Sequence, residues 1–230
     1  MITLATFPAH FGTRSTSPFC IKAIYLLNMA GLEWKRQDEL DPRKFPKAKL
    51  PAIIVGSQTI GGSDIIQQYL EGQGHDFDAG LSAQEKAQSH SFIRMAEEHM
   101  YFHLVLDRWG NNAVWPTVRD VYFGAIPKLP RLFITSGLRK TLTKGMIAQG
   151  LGRLSEKERM ERLEPDLQAI VAQLAGKRFL FADVPTAADA SVASVLATMR
   201  ATPIQTDLSR RIANDPALSE YIDRVDKELG

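Results

Sequence analysis

Cysteine is almost absent from this chain, and that scarcity excludes more than any other compositional feature. One thiol, Cys20, stands among 230 residues, so no intrachain disulfide can form. Dithiol-disulfide exchange needs an attacking and a resolving thiol, which a chain with one cysteine cannot supply. Chemistry on a thiol brought from outside remains open. Excess charge is lacking too: 28 Lys and Arg against 26 Asp and Glu leave a net charge of only +2. That balance argues against nucleic acid as the main partner. No apolar run approaches the length needed to span a bilayer. The start, Met1-Ile2-Thr3-Leu4-Ala5, lacks the basic leader of a signal peptide, so a reducing, cytoplasmic setting is expected. What is present is ordinary for a globular protein: 44% hydrophobic and 23% charged residues. The length suffices to bury a full core, as one large or two small domains.

The first third alternates β-rich and helical stretches. Residues 2–7 read as a strand. A loop rich in Gly, Ser and Thr follows, and Ser17 then reads as a helix N-cap with Pro18 at the first helical position, where a missing N–H costs nothing. Ile21, Ile24, Tyr25, Leu26 and Leu27 lie on an apolar helical surface until Gly31 ends it. Residues 33–38 carry the polar alternation of an edge strand. Residues 51–55 read as a buried strand, 58–60 as its hairpin partner, and Ser63 as the cap of a helix reaching about residue 73. The order is β-α-β followed by β-β-α. The first two strands need a crossover helix and are therefore parallel, and the last two form a tight hairpin. That is the thioredoxin-like layout. Beyond a stretch rich in Gly and Asp, residues 72–82, everything reads helical: 83–109, pieces between 114 and 145, 155–176, 187–202 and 218–229. Met160, Leu163, Leu167, Ile170, Val171 and Leu174 repeat at the helical period, with Pro165 as a point where that segment kinks or divides. The expected fold is α/β plus all-α, with a thioredoxin-like domain over 1–75, a linker over 76–82 and an all-helical domain over 83–230.

Three short motifs fall at element starts in the first half: Ser17-Pro18-Phe19-Cys20, Leu50-Pro51 and Gly62-Ser63-Asp64. In this order and at these separations they resemble the thiol-binding half of a glutathione transferase. The all-helical remainder extends the resemblance over the whole chain. Thr186 with Asp189 makes a capping-box start shortly after Phe179-Leu180-Phe181. It is similar to the box that opens a buried, structural helix in that family. Asp107-Arg108-Trp109, Tyr122-Phe123-Gly124 and Gln149-Gly150-Leu151-Gly152-Arg153 resemble the metaxin and failed-axon-connections branch of the superfamily. That branch includes proteins not established as detoxification enzymes.

The resemblance implies glutathione as co-substrate, with its thiol at one helix start, its peptide backbone at a cis-proline and its γ-glutamyl end at a second helix start. Physical chemistry supports Ser17 for the first role. A helix N-terminus carries unpaired N–H groups and about half a positive charge. A thiol with an ordinary pKa of about 8.5 must become a thiolate to attack. A hydroxyl donor at the helix end lowers that pKa. Thr13, Ser15 and Thr16 lie in the same loop and compete for the role, and Ser17 as a plain N-cap is the alternative. Related omega-like proteins carry Cys where this chain has Ser17, so a mixed disulfide at that position is excluded. Cys20 reads as a packing residue.

By the same resemblance, Leu50 makes the backbone contacts beside a cis Pro51, and Lys49 or Lys47 meets the glycyl carboxylate unless it is merely solvated. Ser63 holds the γ-glutamyl carboxylate, and Asp64 reaches the α-amino group, directly or across a dimer. An N-cap with an acidic first turn is their structural alternative. The helix from residue 83 walls the second substrate's pocket in the family. His99, His103, Arg108 and Trp109 either line that pocket or pack within the helical half. His99, His103 and Asp107, spaced by four, share one helix face. Imidazoles one turn apart chelate readily, but no third cluster of Cys or His supports them, and no metal is expected.

Residues 110–153 hold seven Lys and Arg against one acid, Asp120, with Trp115, Tyr122, Phe123, Leu129, Leu132 and Phe133 among them. Such a mixture suits an anionic surface or an acidic ligand, or a basic cover over the pocket. The expected protein is a homodimeric glutathione transferase that directs glutathione's thiolate at a small electrophile, without metal or nucleic acid. The alternative is a non-catalytic interaction or membrane-peripheral member of the same fold, acting through the basic segment. A glutathione-dependent lyase or isomerase would share the first-substrate site.

Overall fold

The computed structural model describes all 230 residues. Its four-stranded sheet runs in the order β2-β1-β3-β4. β1 (Ile2–Thr6) lies inside the sheet and pairs in parallel with β2 (Trp34–Asp38), Ile2 opposite Trp34. On its other side β1 pairs antiparallel with β3 (Ala52–Val55), Ala5 opposite Ala52. β4 (Gln58–Gly61) closes a two-residue hairpin with β3 at Gly56-Ser57. Lys35, Arg36, Gln37 and Asp38 of β2 are exposed, as suits an edge strand whose charges discourage further pairing.

α1 (Pro18–Met29) crosses between β1 and β2 and buries nine of its twelve residues. Such a helix needs two apolar neighbours: one is the sheet, and the other is α8 (Ala187–Arg200). α2 (Ser63–Gly72) buries only Ser63, Ile66 and Leu70, the stripe that faces inward. The sequence reading set Ser63 at the N-cap; the structure sets Gly62 there, with Ser63 as the first helical residue. The reason is geometric. Gly62 turns the chain from β4 into α2 at φ 98°, a region that favours glycine, while its N–H donates to the Pro51 carbonyl at 2.8 Å.

α3 (Ala83–Met95) opens on a Ser82–Glu85 capping box. It continues through a π turn (Ala96–Met100), α4 (Tyr101–Val105) and a second π turn (Leu106–Gly110), so residues 83–110 form one rod. The basic segment folds as α5 (Trp115–Tyr122) and α6 (Lys128–Gln149). α7 (Glu156–Leu174) runs unbroken through Pro165 and buries Leu163, Leu167, Ile170 and Leu174. α9 (Asp207–Ala213) was not legible in the sequence; it is seven residues long and opens on Thr206. α10 (Pro216–Leu229) starts at Pro216, capped by Asp215, whose carboxylate accepts from the N–H groups of Ala217 and Leu218.

α8 is the axis of the core, with thirteen of its fourteen residues buried. Its Ala, Ser and Thr side chains let neighbouring helices approach. The box reading at its start holds: Asp189 accepts from the Thr186 N–H and hydroxyl, each at 2.8 Å. The same carboxylate also takes the Leu180 N–H and the Tyr221 hydroxyl, tying α10 to the start of α8. One cluster of 39 buried residues reaches from Leu4 to Leu229. The thioredoxin-like half and the all-helical half therefore share a core.

Candidate active site

The starts of α1, β3 and α2 meet around two small contacts. Leu50 packs with Cys20, Ala5 and Ala52, one turn inside α1. The Gly62–Pro51 hydrogen bond brings the start of α2 to the start of β3. Each of the three starts carries polar groups with no partner in the protein.

At α1 the competing hydroxyls separate. Thr13 donates to the His10 and Ser15 carbonyls. Ser15 is buried, donates to the Phe7 carbonyl at 2.9 Å and receives the Ser17 N–H. Both are committed to shaping the loop. Ser17 stands at the N-cap with extended backbone and no side-chain capping bond, and the Phe19 N–H above it is unpaired. Cys20 is fully buried, and burial pushes its thiol pKa up, against Thr6, the Phe7 backbone, Ser17 and Ser15.

At β3 the Leu50–Pro51 bond is cis. Leu50 lies outside the ladder, and its N–H and C=O take no partner in the protein. The approach is strained: Lys47 and Ala48 both have φ near +55°, at 57° and 53°, which costs residues with a Cβ about 1–2 kcal/mol each. Lys47 and Lys49 are exposed.

At α2 the first-turn N–H groups of Ser63, Asp64 and Ile65 are unpaired, and the Ser63 hydroxyl makes no capping bond. Asp64 is not a free acid. Its two oxygens receive Lys22 Nζ at 2.8 Å and Arg94 Nη2 at 3.1 Å. Desolvation works against its charge, but the charges of Lys22 and Arg94 together with hydrogen bonding outweigh it and hold its pKa below the usual carboxylate value. Sequence reading passed over Lys22. Its signal was a lysine between Ile21 and Ile24 on a buried helix, which a charged residue occupies at a cost unless it is paired.

The rod over residues 83–110 presents two different faces. His99 and His103 face α7: His99 Nδ1 lies 2.5 Å from Asp166, and its Nε2 lies 3.5 Å from His103 Nε2. Burial, with His99, Arg159 and Arg162 nearby, pushes the His103 pKa down to about 3. Asp107 points toward Thr202 and Thr206, which both donate to it at 3.1 Å, and burial pushes its pKa up to about 6. The face toward the loop before Ser17 carries Tyr101 and Arg108 instead. Tyr101 meets Phe19 edge-on at 4.7 Å, and Arg108 donates to the Thr16 carbonyl at 3.1 Å. Tyr122 of α5 adds its ring to Phe11 and its hydroxyl to Arg108. Trp109 stands behind, among Trp115, Tyr122 and Phe123. Tyr101 and Tyr122 were missed because only packing reveals which face of the rod meets the loop. No group of three or more His, Cys, Asp or Glu is gathered to hold a metal ion, and no helix is long and apolar enough to cross a membrane.

The arrangement offers a hydroxyl and an N–H at one helix start, an unpaired peptide edge, and three N–H groups at a second helix start. An aromatic wall flanks the first of these. Family models match twice: glutathione S-transferase N-terminal domain over residues 18–115, and glutathione S-transferase C-terminal domain over residues 163–225. The chain is 31% identical to the isoprene-epoxide–glutathione S-transferase of Rhodococcus sp. (strain AD45), with 99% of each chain covered. It is 27% identical to the Failed axon connections protein of Drosophila melanogaster over 80% of this chain and 47% of that one. To the Metaxin-1 homolog of Drosophila melanogaster it is 23% identical, over 98% and 72%. Among solved structures, the glutathione S-transferase CsGST63524 of Ceriporiopsis subvermispora in complex with glutathione superimposes with a TM-score of 0.65. The identity there is 16%, covering 100% of this chain and 98% of that one.

Proposed function

The chain belongs to the glutathione S-transferase superfamily, with metaxin-like relatives, and on that premise we propose that it is a glutathione transferase acting on a small electrophile. The observation that carries the reading is the set of unpaired groups at three linked element starts.

Glutathione suits that set in one direction. The Ser17 hydroxyl and the start of α1 receive the sulfur, where a donor and a partial positive charge favour thiolate over thiol. The N–H and C=O of Leu50 pair with the cysteinyl unit as an added strand would. Ser63 and the first turn of α2 hold the γ-glutamyl carboxylate, Asp64 takes the α-amino group, and Lys49 or Lys47 meets the glycyl carboxylate. The acceptor rests against Phe11, Phe19 and Tyr101. The sulfur lone pair forms a bond to the electrophilic carbon as that carbon's bond to its leaving atom breaks; the electron pair goes to the leaving atom, which for an epoxide oxygen then takes a proton from water. The protein supplies ionisation and proximity, and no covalent enzyme intermediate forms. The relative acting on isoprene epoxide points to strained ethers as a first acceptor class. A homodimer in a reducing, cytoplasmic compartment completes the reading.

A second reading rests on α6. The helix exposes Leu129, Phe133 and Ile134 at 71%, 82% and 49%, and it carries five Lys and Arg with no acid. Such a surface suits an anionic membrane or an acidic partner. Calorimetric titration with glutathione, repeated on Ser63→Ala, separates the two. Binding in the micromolar-to-millimolar range that the substitution weakens supports the transferase. No detectable binding overturns it and leaves α6 as the functional surface.

A further inference from the structure

Arg108 is a buried cation with only neutral partners. Its side chain is 2% exposed, and a guanidinium keeps its proton wherever it is placed. Nη1 donates to the Thr16 carbonyl at 3.1 Å and the Tyr122 hydroxyl at 2.8 Å, and Nη2 to the Thr198 carbonyl at 2.6 Å. Nε has no partner at all. The Phe11 ring covers one side, 5.6 Å from Cζ. Lys22, the other deeply buried cation, is held by two carboxylates. No carboxylate is hydrogen-bonded to Arg108: Asp107, next along the chain, is near enough to feel its charge but gives its oxygen to Thr202 and Thr206.

Burying an unpaired ion is expensive unless an opposite charge compensates it. The groups that face Arg108 from its surroundings do not do so at neutral pH. Asp107 on the same rod feels the Arg108 charge but makes no hydrogen bond to it, and Tyr101, also on the rod, is pushed up to about 12. The position is informative. The Thr16 carbonyl and the Ser17 N–H belong to one peptide group, so Arg108 grips the far side of the peptide that leads into the start of α1.

We propose that Arg108 supplies the positive charge that keeps the bound tripeptide's sulfur ionised, while its grip on the Thr16–Ser17 peptide sets the position of the Ser17 hydroxyl. The proposal rests on the glutathione reading above. On binding, the S–H bond breaks, its electron pair stays on sulfur, and the proton passes to bulk water. Ser17 hydrogen-bonds the thiolate, and Arg108 balances its charge through the peptide from the helical half. Arg108 is thus a positioning residue rather than a catalytic one. It makes thiol activation depend on the docking of the rod over residues 83–110 against the loop before α1.

The test follows the ultraviolet absorbance of thiolate against pH in the glutathione complexes of wild type, Arg108→Lys and Arg108→Gln. Glutamine can still donate to the Thr16 carbonyl but carries no charge. The expected result is a bound-thiol pKa raised by about one to two units in Arg108→Gln. Arg108→Lys should stay within about half a unit of wild type, and affinity at pH 6 should change by less than about threefold. Equal pKa values in wild type and Arg108→Gln, or equal rises in both variants, overturn the role of charge and leave a tether. If Arg108→Gln does not fold, Arg108→Met, which is uncharged and fills the apolar space beside Phe11, takes its place, and a bound-thiol pKa equal to that of wild type overturns the proposal. Absence of any glutathione binding removes the earlier reading and this one with it, whereas binding with a thiol pKa that Arg108→Gln leaves unchanged removes this one alone.

Discussion

Lys22 Nζ lies 2.7 Å from Glu97 Oε1, and the two side chains are 1% and 5% exposed. The pair joins α1 of the thioredoxin-like half to the rod of the helical half. Ser191 of α8 donates to the same Glu97 oxygen at 2.5 Å, and Arg94 donates to its other oxygen at 2.7 Å. Through Lys22 and Arg94 the network reaches Asp64, at the start of α2. An ion pair across the two halves therefore braces one end of the candidate glutathione site.

Breaking this pair by Lys22→Met should cost about 3 kcal/mol in urea denaturation. Removing one member strands the other as a buried charge. Glu97 keeps Arg94 and Ser191, which holds the loss at the lower end for such pairs. The double variant Lys22→Met/Glu97→Met should recover part of the loss, with a coupling energy above about 1 kcal/mol in the double-mutant cycle. A single-variant loss below about 0.5 kcal/mol would mean that the pair contributes nothing to joining the halves.

Ser17→Ala should raise the bound thiol's pKa by about one unit and slow conjugation about tenfold near neutral pH, while glutathione still binds. The pH–rate profile of the variant, measured with an epoxide acceptor, reads both effects together. If the profile matches wild type, Ser17 loses its role. Attention then moves to Thr16 alone, because the Thr13 and Ser15 hydroxyls already donate to main-chain carbonyls.

The sequence carried the fold further than it carried the site. Pro18 after Ser17, the polar strand before Asp38 and the Thr186–Asp189 box are local signals, and each produced the element it announced. α9 failed as a signal because a seven-residue helix shows less than two periods of any pattern. Ser17, Leu50 and Ser63 could be named as candidates because helix and strand starts expose their backbone groups whatever surrounds them. The faces of the rod were not readable. His99 and His103 read as candidates for the second pocket because four-residue spacing shows which residues share a face. It does not show what that face meets. The structure turns them toward α7 and gives the loop before Ser17 to Tyr101 and Arg108. Lys22 was hidden for a related reason, since its partners Asp64 and Glu97 are 42 and 75 positions away.

His103 should make the protein acid-sensitive. Its folded pKa of about 3 lies below its ordinary 6.5. The unfolded chain therefore binds a proton that the folded one refuses. The His103 contribution is fully present above pH 6.5 and is lost progressively as pH falls toward 3. Between pH 7 and pH 5 wild type should lose about 2 kcal/mol more than His103→Gln. Urea midpoints at the two pH values give the comparison, and parallel losses in both proteins would show that His103 protonates freely in the fold.

Asp107, one turn further along the same face, should do the opposite. Burial raises its folded pKa from the ordinary 3.8 to about 6, so the folded state favours the neutral carboxyl. Its contribution is fully present below pH 3.8 and is lost as pH rises through 6. At pH 8 wild type holds a charged carboxylate against the Thr202 and Thr206 hydroxyls, with a penalty of up to about 3 kcal/mol. Asp107→Asn keeps an oxygen to accept from both threonines and removes the charge. The variant should therefore be more stable than wild type at pH 8 by about 1–3 kcal/mol, after allowance for the cost of burying the new amide N–H groups. By pH 4 the difference should vanish, because both side chains are then neutral. The neighbouring His103 titrates alike in the two proteins and cancels from the comparison. Thermal melts across that range decide the matter: a pH-independent difference would place the carboxylate in a solvated or cation-paired environment, and an Asp107→Asn protein less stable at pH 8 would show that the threonines need the charge.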